Sequence, residues 1–513
     1  MTRRRWPLRT ALAVACLAFV VPLSGCVTLF LPPAPELTSK PTEEKVDAAL
    51  VPYYSQVLAW SKCEGSFQCA TATAPLDWND PARDSIHLAL IRSPATGSRL
   101  GSLLVNPGGP GGSGYDFIQD SLNYAVDAKL TERYDIVGFD PRGVNRSSAV
   151  SCYDDPSELD NFLYELSPRD LGQDALVDHI EQTYADFGAA CLEHTGELLG
   201  YVDTVSAARD LDLLRAILGD TKLNYLGYSY GTFLGATYAG LYPEKTGRLV
   251  LDGALDPATT DFDVTLTQAK GFEDAARAYL ADCLAGSECP FRGTVDAGMK
   301  RIRTLLDRLD ASPLRASDDR MLGSDAMFTA IILPLYSQSN WPYLSDLFTD
   351  VFAGNADYAF QLADAYNGRN SDGTYQDNST EAFIAINCLD YRQTSTRDTL
   401  AAEAAELARV APTFGPQMSW GGTSCSEWPF PSTRVREAIR APGSAPILVV
   451  GTTNDPATPY QWAVNLADEL ESGHLVTYHG EGHTAYNKSN SCVNDTVDAY
   501  FIDGTVPAED PDC

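Results

Sequence analysis

The chain has 513 residues, 44% of them hydrophobic, enough to bury one large core or two modest ones and too much for a disordered tail or a small disulfide knot. Lys and Arg number 37 against 69 Asp and Glu, a net charge of −32, which repels phosphate backbones and argues against nucleic acid or a basic face docked on anionic lipid. The 39 Gly and 31 Pro suit a turn-rich globular enzyme and not a coiled coil or collagen-like rod.

Arg3, Arg4, Arg5 and Arg9 precede an apolar run at 11–21, the charged and hydrophobic regions of a secretory signal over residues 1–25, and the run is too short to span a bilayer comfortably. It ends in Leu23-Ser24-Gly25-Cys26, which resembles a bacterial lipobox and makes Cys26 the expected lipidation site. The rival reading is a soluble secreted protein; either way the destination is outside the cell or on the outer face of its membrane. Residues 26–50, with Pro32, Pro33, Pro35 and Pro41, read as a tether.

Short apolar runs follow at 87–91, 102–105, 136–139, 223–226 and 249–251, and return at 447–450 and 475–478; amphipathic stretches such as 204–218 lie between them. That alternation predicts an α/β fold with a mostly parallel, doubly wound sheet. The sheet core takes residues 51–258 and 441–513. Between them, 259–440 reads as an inserted, mainly helical cap, with helices expected at 272–284, 295–309, 343–352 and 400–410.

Directly after the strand at 102–105 comes Asn106-Pro107-Gly108-Gly109-Pro110-Gly111-Gly112-Ser113-Gly114, a segment whose main-chain N–H groups can point at a developing oxyanion. A phosphate loop is excluded because no G-K-[ST] follows. Gly227-Tyr228-Ser229-Tyr230-Gly231 sits between the strand at 223–226 and a helix-compatible stretch at 233–239, the setting of a nucleophile elbow with Ser229 at its tip. One oxyanion donor is assigned to the backbone of Tyr230 and the other to Gly109.

The acid follows in Asn454-Asp455-Pro456-Ala457-Thr458, where Asp455 beside a proline can orient an imidazole and Thr458 can bond within the loop. Asp252 and Asp256, after the preceding strand, are its competitors. Of six histidines, three lie late enough for the order Ser, acid, His. His474 and His479 bracket the strand at 475–478, whereas Gly480-Glu481-Gly482-His483 puts His483 in a loop that can reach the serine; His483 is the expected base.

Ten cysteines remain of the 12 once Cys16 in the signal and Cys26 are set aside, and an exported chain should pair them. Short loops favour Cys63–Cys69, Cys152–Cys191, Cys283–Cys289, Cys388–Cys425 and Cys492–Cys513, although spacing alone leaves other pairings open. No zinc-type spacing occurs, so neither metal nor cofactor is expected.

These motifs, with Tyr134-Asp135-Ile136-Val137-Gly138-Phe139-Asp140-Pro141-Arg142-Gly143, resemble the α/β-hydrolases of proline iminopeptidase type, most closely the secreted tripeptidyl aminopeptidases of actinobacteria. The resemblance spans nearly the whole mature chain. It implies a serine exopeptidase releasing short peptides from free N-termini of peptides or proteins, through Ser229, Asp455 and His483 and an acyl-enzyme, in a monomer held to the membrane by its lipid only. The family's first loop often begins with His, where this chain has Pro107. Asp140 and Arg142 also match and read as a buried ion pair bracing that loop. Recognition of the substrate amine falls in this family to carboxylates in or near the cap. If Cys388 pairs with Cys425, Asp390 and Glu427 lie two residues beyond a common bridge and are the candidates. Two other functions use the same sequence features: an esterase or lipase with the same three residues, and a non-catalytic peptide-binding lipoprotein.

Overall fold

The computed structural model describes residues 37–169 and 172–513; the signal segment, Cys26 and the first part of the tether lie outside the described residues. Nine of the ten strands of the sheet that carries the site are β1 (Ala59–Lys62), β2 (Gln68–Pro75), β3 (Ser85–Ser93), β4 (Gly101–Asn106), β5 (Tyr134–Phe139), β6 (Leu223–Tyr228), β7 (Thr246–Asp252), β8 (Ile447–Asn454) and β9 (Gly473–Glu481). They lie side by side in the order β1-β2-β3-β5-β4-β6-β7-β8-β9. The pairs from β1 to β5 are antiparallel, and every pair from β5 onward is parallel.

The central strands are apolar throughout because both faces are covered. Leu103, Val105, Ile136, Val250, Leu448 and Val450 pack to one side with Ile118 of α1 (Gly114–Ala125) and with Val497 and Phe501 of the helix Ser491–Asp503. Leu104, Val137, Leu251 and Val449 point the other way, onto Leu211 and Leu214 of α2 (Thr204–Leu218) and Leu234 of α3 (Tyr230–Leu241). Alternate residues of one strand thus feed two cores, which is the expected doubly wound α/β-hydrolase arrangement.

After β7 the chain leaves the sheet and returns at β8. The intervening helices include α4 (Asp261–Ala285), α5 (Ser324–Leu335) and α6 (Ser379–Asp390), and they carry their own apolar core around Tyr279, Phe291, Leu306 and Phe348. The cap takes a second contribution that the division of the chain at residue 258 does not include. Helices Pro156–Tyr164 and Gln173–Thr195 pack on it, Tyr164 against the cap core and Leu176 and Val177 against Leu400 and Trp420. Leu176 and Val177 thus meet cap partners more than two hundred positions away, a pairing no local pattern discloses.

Two further expectations are corrected. Residues 38–50 do not run free as tether: the Thr42 N–H donates to Ala216 O (2.9 Å), and Glu44 accepts from Arg215 (2.8 Å) and Lys245 (2.7 Å). Arg215 is fully buried and needs a carboxylate within reach, so this segment is drawn onto the core. Asp140 and Arg142 do not pair with each other. Arg142 makes a two-pronged bond to Asp210 (2.7 Å each) and donates to the carbonyls of Pro75, Leu76 and Tyr201. Asp140 instead accepts from Ser113 Oγ and the N–H groups of Tyr115 and Arg146, and burial pushes its carboxyl up to about 6 against those bonds. Disulfides join Cys63–Cys69, Cys152–Cys191, Cys283–Cys289, Cys388–Cys425 and Cys492–Cys513, chemistry suited to an oxidising compartment outside the cytosol.

Candidate active site

The strand ends at Asn106, Tyr228, Asp252 and Asn454 converge where the cap covers the sheet, the position at which open α/β sheets bind ligands. Ser229 turns the chain from β6 into α3 with φ +56°, a left-handed conformation that a non-glycine residue adopts only when its surroundings hold it. Here the Ser229 N–H donates to Asp252 O (2.9 Å), and its carbonyl accepts from Thr232 N (2.8 Å) and Thr232 Oγ1 (2.6 Å). A Cβ at Gly227 would stand 2.3 Å from Gly231 O, and one at Gly231 would stand 2.8 Å from Asn106 Oδ1. Both glycines therefore serve close approach of strand and helix at the turn.

The glycine loop folds over this serine. A Cβ on Gly108, at φ +102°, would lie 2.6 Å from Tyr228 O and 2.8 Å from Ser229 Cβ. Beyond it, Gly109 and Ser229 line the same cavity. Among the described residues, the N–H groups of Gly109 and Tyr230 have no acceptor within the protein, although Tyr230 is buried. Asn106 Oδ1 accepts from Gly108 N (3.0 Å) and Gly108 O from Gly112 N (3.1 Å); these bonds shape the loop and do not engage the N–H of Gly109.

Asp455 and His483 meet on the other side. His483 Nδ1 lies 2.9 Å from both Asp455 oxygens, and the carboxylate also accepts from Ala457 N, Thr458 N, Thr458 Oγ1 and Thr484 N. Its side chain is fully buried, that of His483 nearly so. The cap holds this loop directly: His483 N donates to Tyr336 O (2.8 Å), and the Tyr336 ring meets the imidazole edge-on at 5.5 Å. Gly253, one residue past the acceptor of the Ser229 N–H, faces the ring; a Cβ there would be 3.1 Å from His483 Cε1. The competitors lie elsewhere. His479 is exposed and bonds Asp512, Asp256 bonds Asn465 Nδ2, and Asp252 accepts from the N–H groups of Ala485 and Tyr486 beneath the His483 loop.

Over most of its length the sequence aligns with known proteins. Serine protease Hip1 of Mycobacterium tuberculosis is 38% identical over 489 residues, covering 90% of this chain and 92% of its own. Carboxylesterase B of the same organism is 36% identical, covering 98% of both chains. Tripeptidyl aminopeptidase of Streptomyces lividans is 30% identical, covering 88% of this chain and 86% of its own. A family model described as TAP-like protein matches residues 411–513, the stretch that holds Asp455 and His483. The chain belongs to the tripeptidyl aminopeptidase-like α/β-hydrolases.

The cavity of this family member has a volume of about 280 Å³ and is lined by Ser229, Gly109, Tyr230, Thr458, Asp261 and Asp390, among others. Asp390 is there as expected, but it is already engaged: it accepts from Thr204 N (3.0 Å) and Thr204 Oγ1 (2.5 Å) and lies 3.6 Å from Arg434. Thr204 Oγ1 also bonds the Tyr230 hydroxyl, so Asp390 braces the residue that follows Ser229. Burial, with Asp203 nearby, pushes the Asp390 carboxyl up to about 6. Glu427 is corrected. It is exposed and does not line the cavity, because two residues beyond the bridge the chain has turned Trp428 inward and the glutamate out.

The second carboxylate on the cavity is Asp261, in the first turn of α4. Its side chain accepts one bond, from Gln393 Nε2 (3.1 Å), and burial holds its pKa above the usual aspartate range. A neighbouring chamber of about 300 Å³ shares Asp261, Thr265 and Gly421 with the first and adds Glu403. Burial and the nearby Asp261 charge raise the Glu403 pKa as well. The only sequence signal for Asp261 was its place at the start of the cap.

Proposed function

We propose that this protein is an exported serine peptidase that removes short peptides from free amino termini. The observation that carries the reading is the pair of unpartnered N–H groups, Gly109 and Tyr230, beside Ser229 with the His483–Asp455 pair behind it. With Nδ1 committed to Asp455, Nε2 is the imidazole nitrogen left to take the Ser229 proton. Ser229 Oγ has no hydrogen-bond partner among the described residues, and substrate binding draws it onto His483, as such bonds tighten in the Michaelis complex. The serine attacks the scissile carbonyl, the two N–H groups hold the oxyanion, His483 protonates the leaving amine, and water releases the acyl-peptide.

The substrate ammonium is assigned to Asp261, the cavity carboxylate with accepting capacity to spare, with Asp390 adding negative charge behind it. Asp261→Asn is expected to raise KM for free-amine peptides about 10- to 100-fold and to leave N-acetylated peptides unaffected. Because burial raises the Asp261 pKa, its carboxyl neutralises on acidification before an ordinary aspartate does. KM for free-amine substrates should therefore climb as the pH falls through that raised pKa, and should stay flat in Asp261→Asn. Equal effects on free and acetylated peptides would remove Asp261 from this role.

A second reading is favoured by the relative named Carboxylesterase B: the same centre acting on esters. Rates on Ala-Ala-Pro-nitroanilide, its N-acetyl form and p-nitrophenyl butyrate separate the two. The peptidase reading expects the free tripeptide to be cleaved at least tenfold faster than the acetylated one. Indifference to acetylation, with faster butyrate hydrolysis, would establish the esterase instead. Lipidation at Cys26 completes the proposal and places the mature monomer on the outer face of the membrane; metabolic labelling with palmitate, lost in Cys26→Ala, checks it.

A further inference from the structure

The turn that carries His483 holds a cation with no part in the chemistry above. Lys488 Nζ donates to Thr484 Oγ1 (2.6 Å) and sits over the rings of Tyr228 (4.4 Å) and Tyr124 (4.5 Å). Thr484 is the residue after His483; its hydroxyl donates to His483 O (2.5 Å) and its N–H to Asp455 Oδ2 (3.2 Å). Tyr228 precedes Ser229, and its hydroxyl is anchored on Ala125 O (2.6 Å). The ammonium thus touches residues adjacent to both the serine and the histidine. We propose that Lys488 is a positioning residue for His483: it fixes the turn through Thr484 and sets a positive charge against the buried Asp252.

This rests on the reading of Ser229, Asp455 and His483 given above, and deepens it. Asp252 is fully buried, is held by the N–H groups of Ala485 and Tyr486, and lies in the residue before Gly253, which faces the imidazole. Asp455 bonds the imidazole directly, and Asp252 holds the N–H groups of the two residues after Thr484. Loss of the ammonium would leave these carboxylates as the nearest charges, and a carboxylate beside a base favours its protonated form. The other titratable groups around Lys488 are Tyr124 from α1, Tyr228 from β6, and His483 and Tyr486 of its own turn; none of the tyrosines supplies positive charge. The aromatic rings suit an ammonium and also strip water from it. Burial lowers the lysine to about 8, with Asp252 and Asp455 opposing the fall.

The test is the pH profile of kcat/KM for a peptide nitroanilide, measured on the full mature chain with a thermal melt of each variant. Lys488→Met keeps the stem between the rings and removes the charge; the acidic limb should move up by about one unit, and Lys488→Arg should restore the wild-type limb. A uniform loss at every pH, with the limb in place, would overturn the proposal and leave Lys488 a packing role. Should Lys488→Met fail to fold, Lys488→Gln, which keeps a donor for Thr484, must show the same upward shift; an unmoved limb there overturns the proposal equally. Failure of the underlying reading has a separate signature: Ser229→Ala would retain activity, whatever the lysine variants do.

Discussion

Asp455→Asn is expected to lower kcat by about 10⁴-fold while KM changes little. The carboxylate accepts at once from His483 Nδ1, Ala457 N, Thr458 N, Thr458 Oγ1 and Thr484 N, and all five are donors. An asparagine fits the volume but must turn its NH₂ toward one of them. Facing Nδ1, it would force the imidazole into the tautomer that carries its proton on Nε2, which cannot then deprotonate Ser229. Facing the backbone donors, it would leave a buried clash of N–H groups and loosen the loop. Steady-state kinetics beside a thermal melt separate the two cases. A loss smaller than tenfold in a folded variant would mean that Asp455 does not orient the base.

Gly108→Ala should lower kcat about 100-fold or more, with folding largely retained. The added Cβ would lie 2.6 Å from Tyr228 O and 2.8 Å from Ser229 Cβ at a φ of +102°, so either the glycine loop or the elbow must move. Both carry a proposed oxyanion donor, and a shift of either takes an N–H away from the place where charge is expected to develop. The matched control is Gly354→Ala in the cap, where φ is also positive (+88°) but no atom lies within 4 Å of the new Cβ. It bears the backbone strain without the contact, and its kcat should stay near wild type. Similar losses in both variants would attribute the effect to strain alone.

The motif residues were legible because each lies in a short segment whose chemistry and local fold coincide. Gly227 to Gly231 follows an apolar strand and opens a helix; the run from Asn106 to Gly114 follows another; Asp455 and His483 sit in loops after the last two parallel strands. Those strands announce themselves as continuous apolar runs because both faces are buried. The antiparallel β1 and β2 do not, since Ala-Trp-Ser-Lys and Gln-Cys-Ala-Thr-Ala-Thr-Ala-Pro are small, polar and only half covered. What local pattern could not supply was the partner across the fold. Arg142 meets Asp210, Glu44 meets Arg215, and Leu176 meets Trp420 only once the chain is folded. The amine-site expectation missed at Glu427, though not at Asp390, for the same reason: bridged Cys388 and Cys425 fix the distance between two backbones, but not the direction in which Glu427 points, whereas Asp261 reaches the cavity from a helix start that carries no motif.

Seen together, the acidic composition divides into separate kinds of carboxylate. Most of the 69 Asp and Glu form the solvated surface expected of an exported chain. Asp210 and Asp212 neutralise the fully buried Arg142 and Arg215, Asp455 accepts from His483 and Asp252 from the turn that follows it, and Asp261 is the proposed partner of a substrate amine.

The most direct measurement is covalent labelling with a fluorophosphonate, followed by intact mass and peptide mapping of the folded, full-length mature protein. One adduct per chain is predicted, on Ser229, absent from Ser229→Ala and strongly slowed in His483→Ala. No adduct on the folded wild type, or an adduct on another serine that persists in Ser229→Ala, would contradict the account.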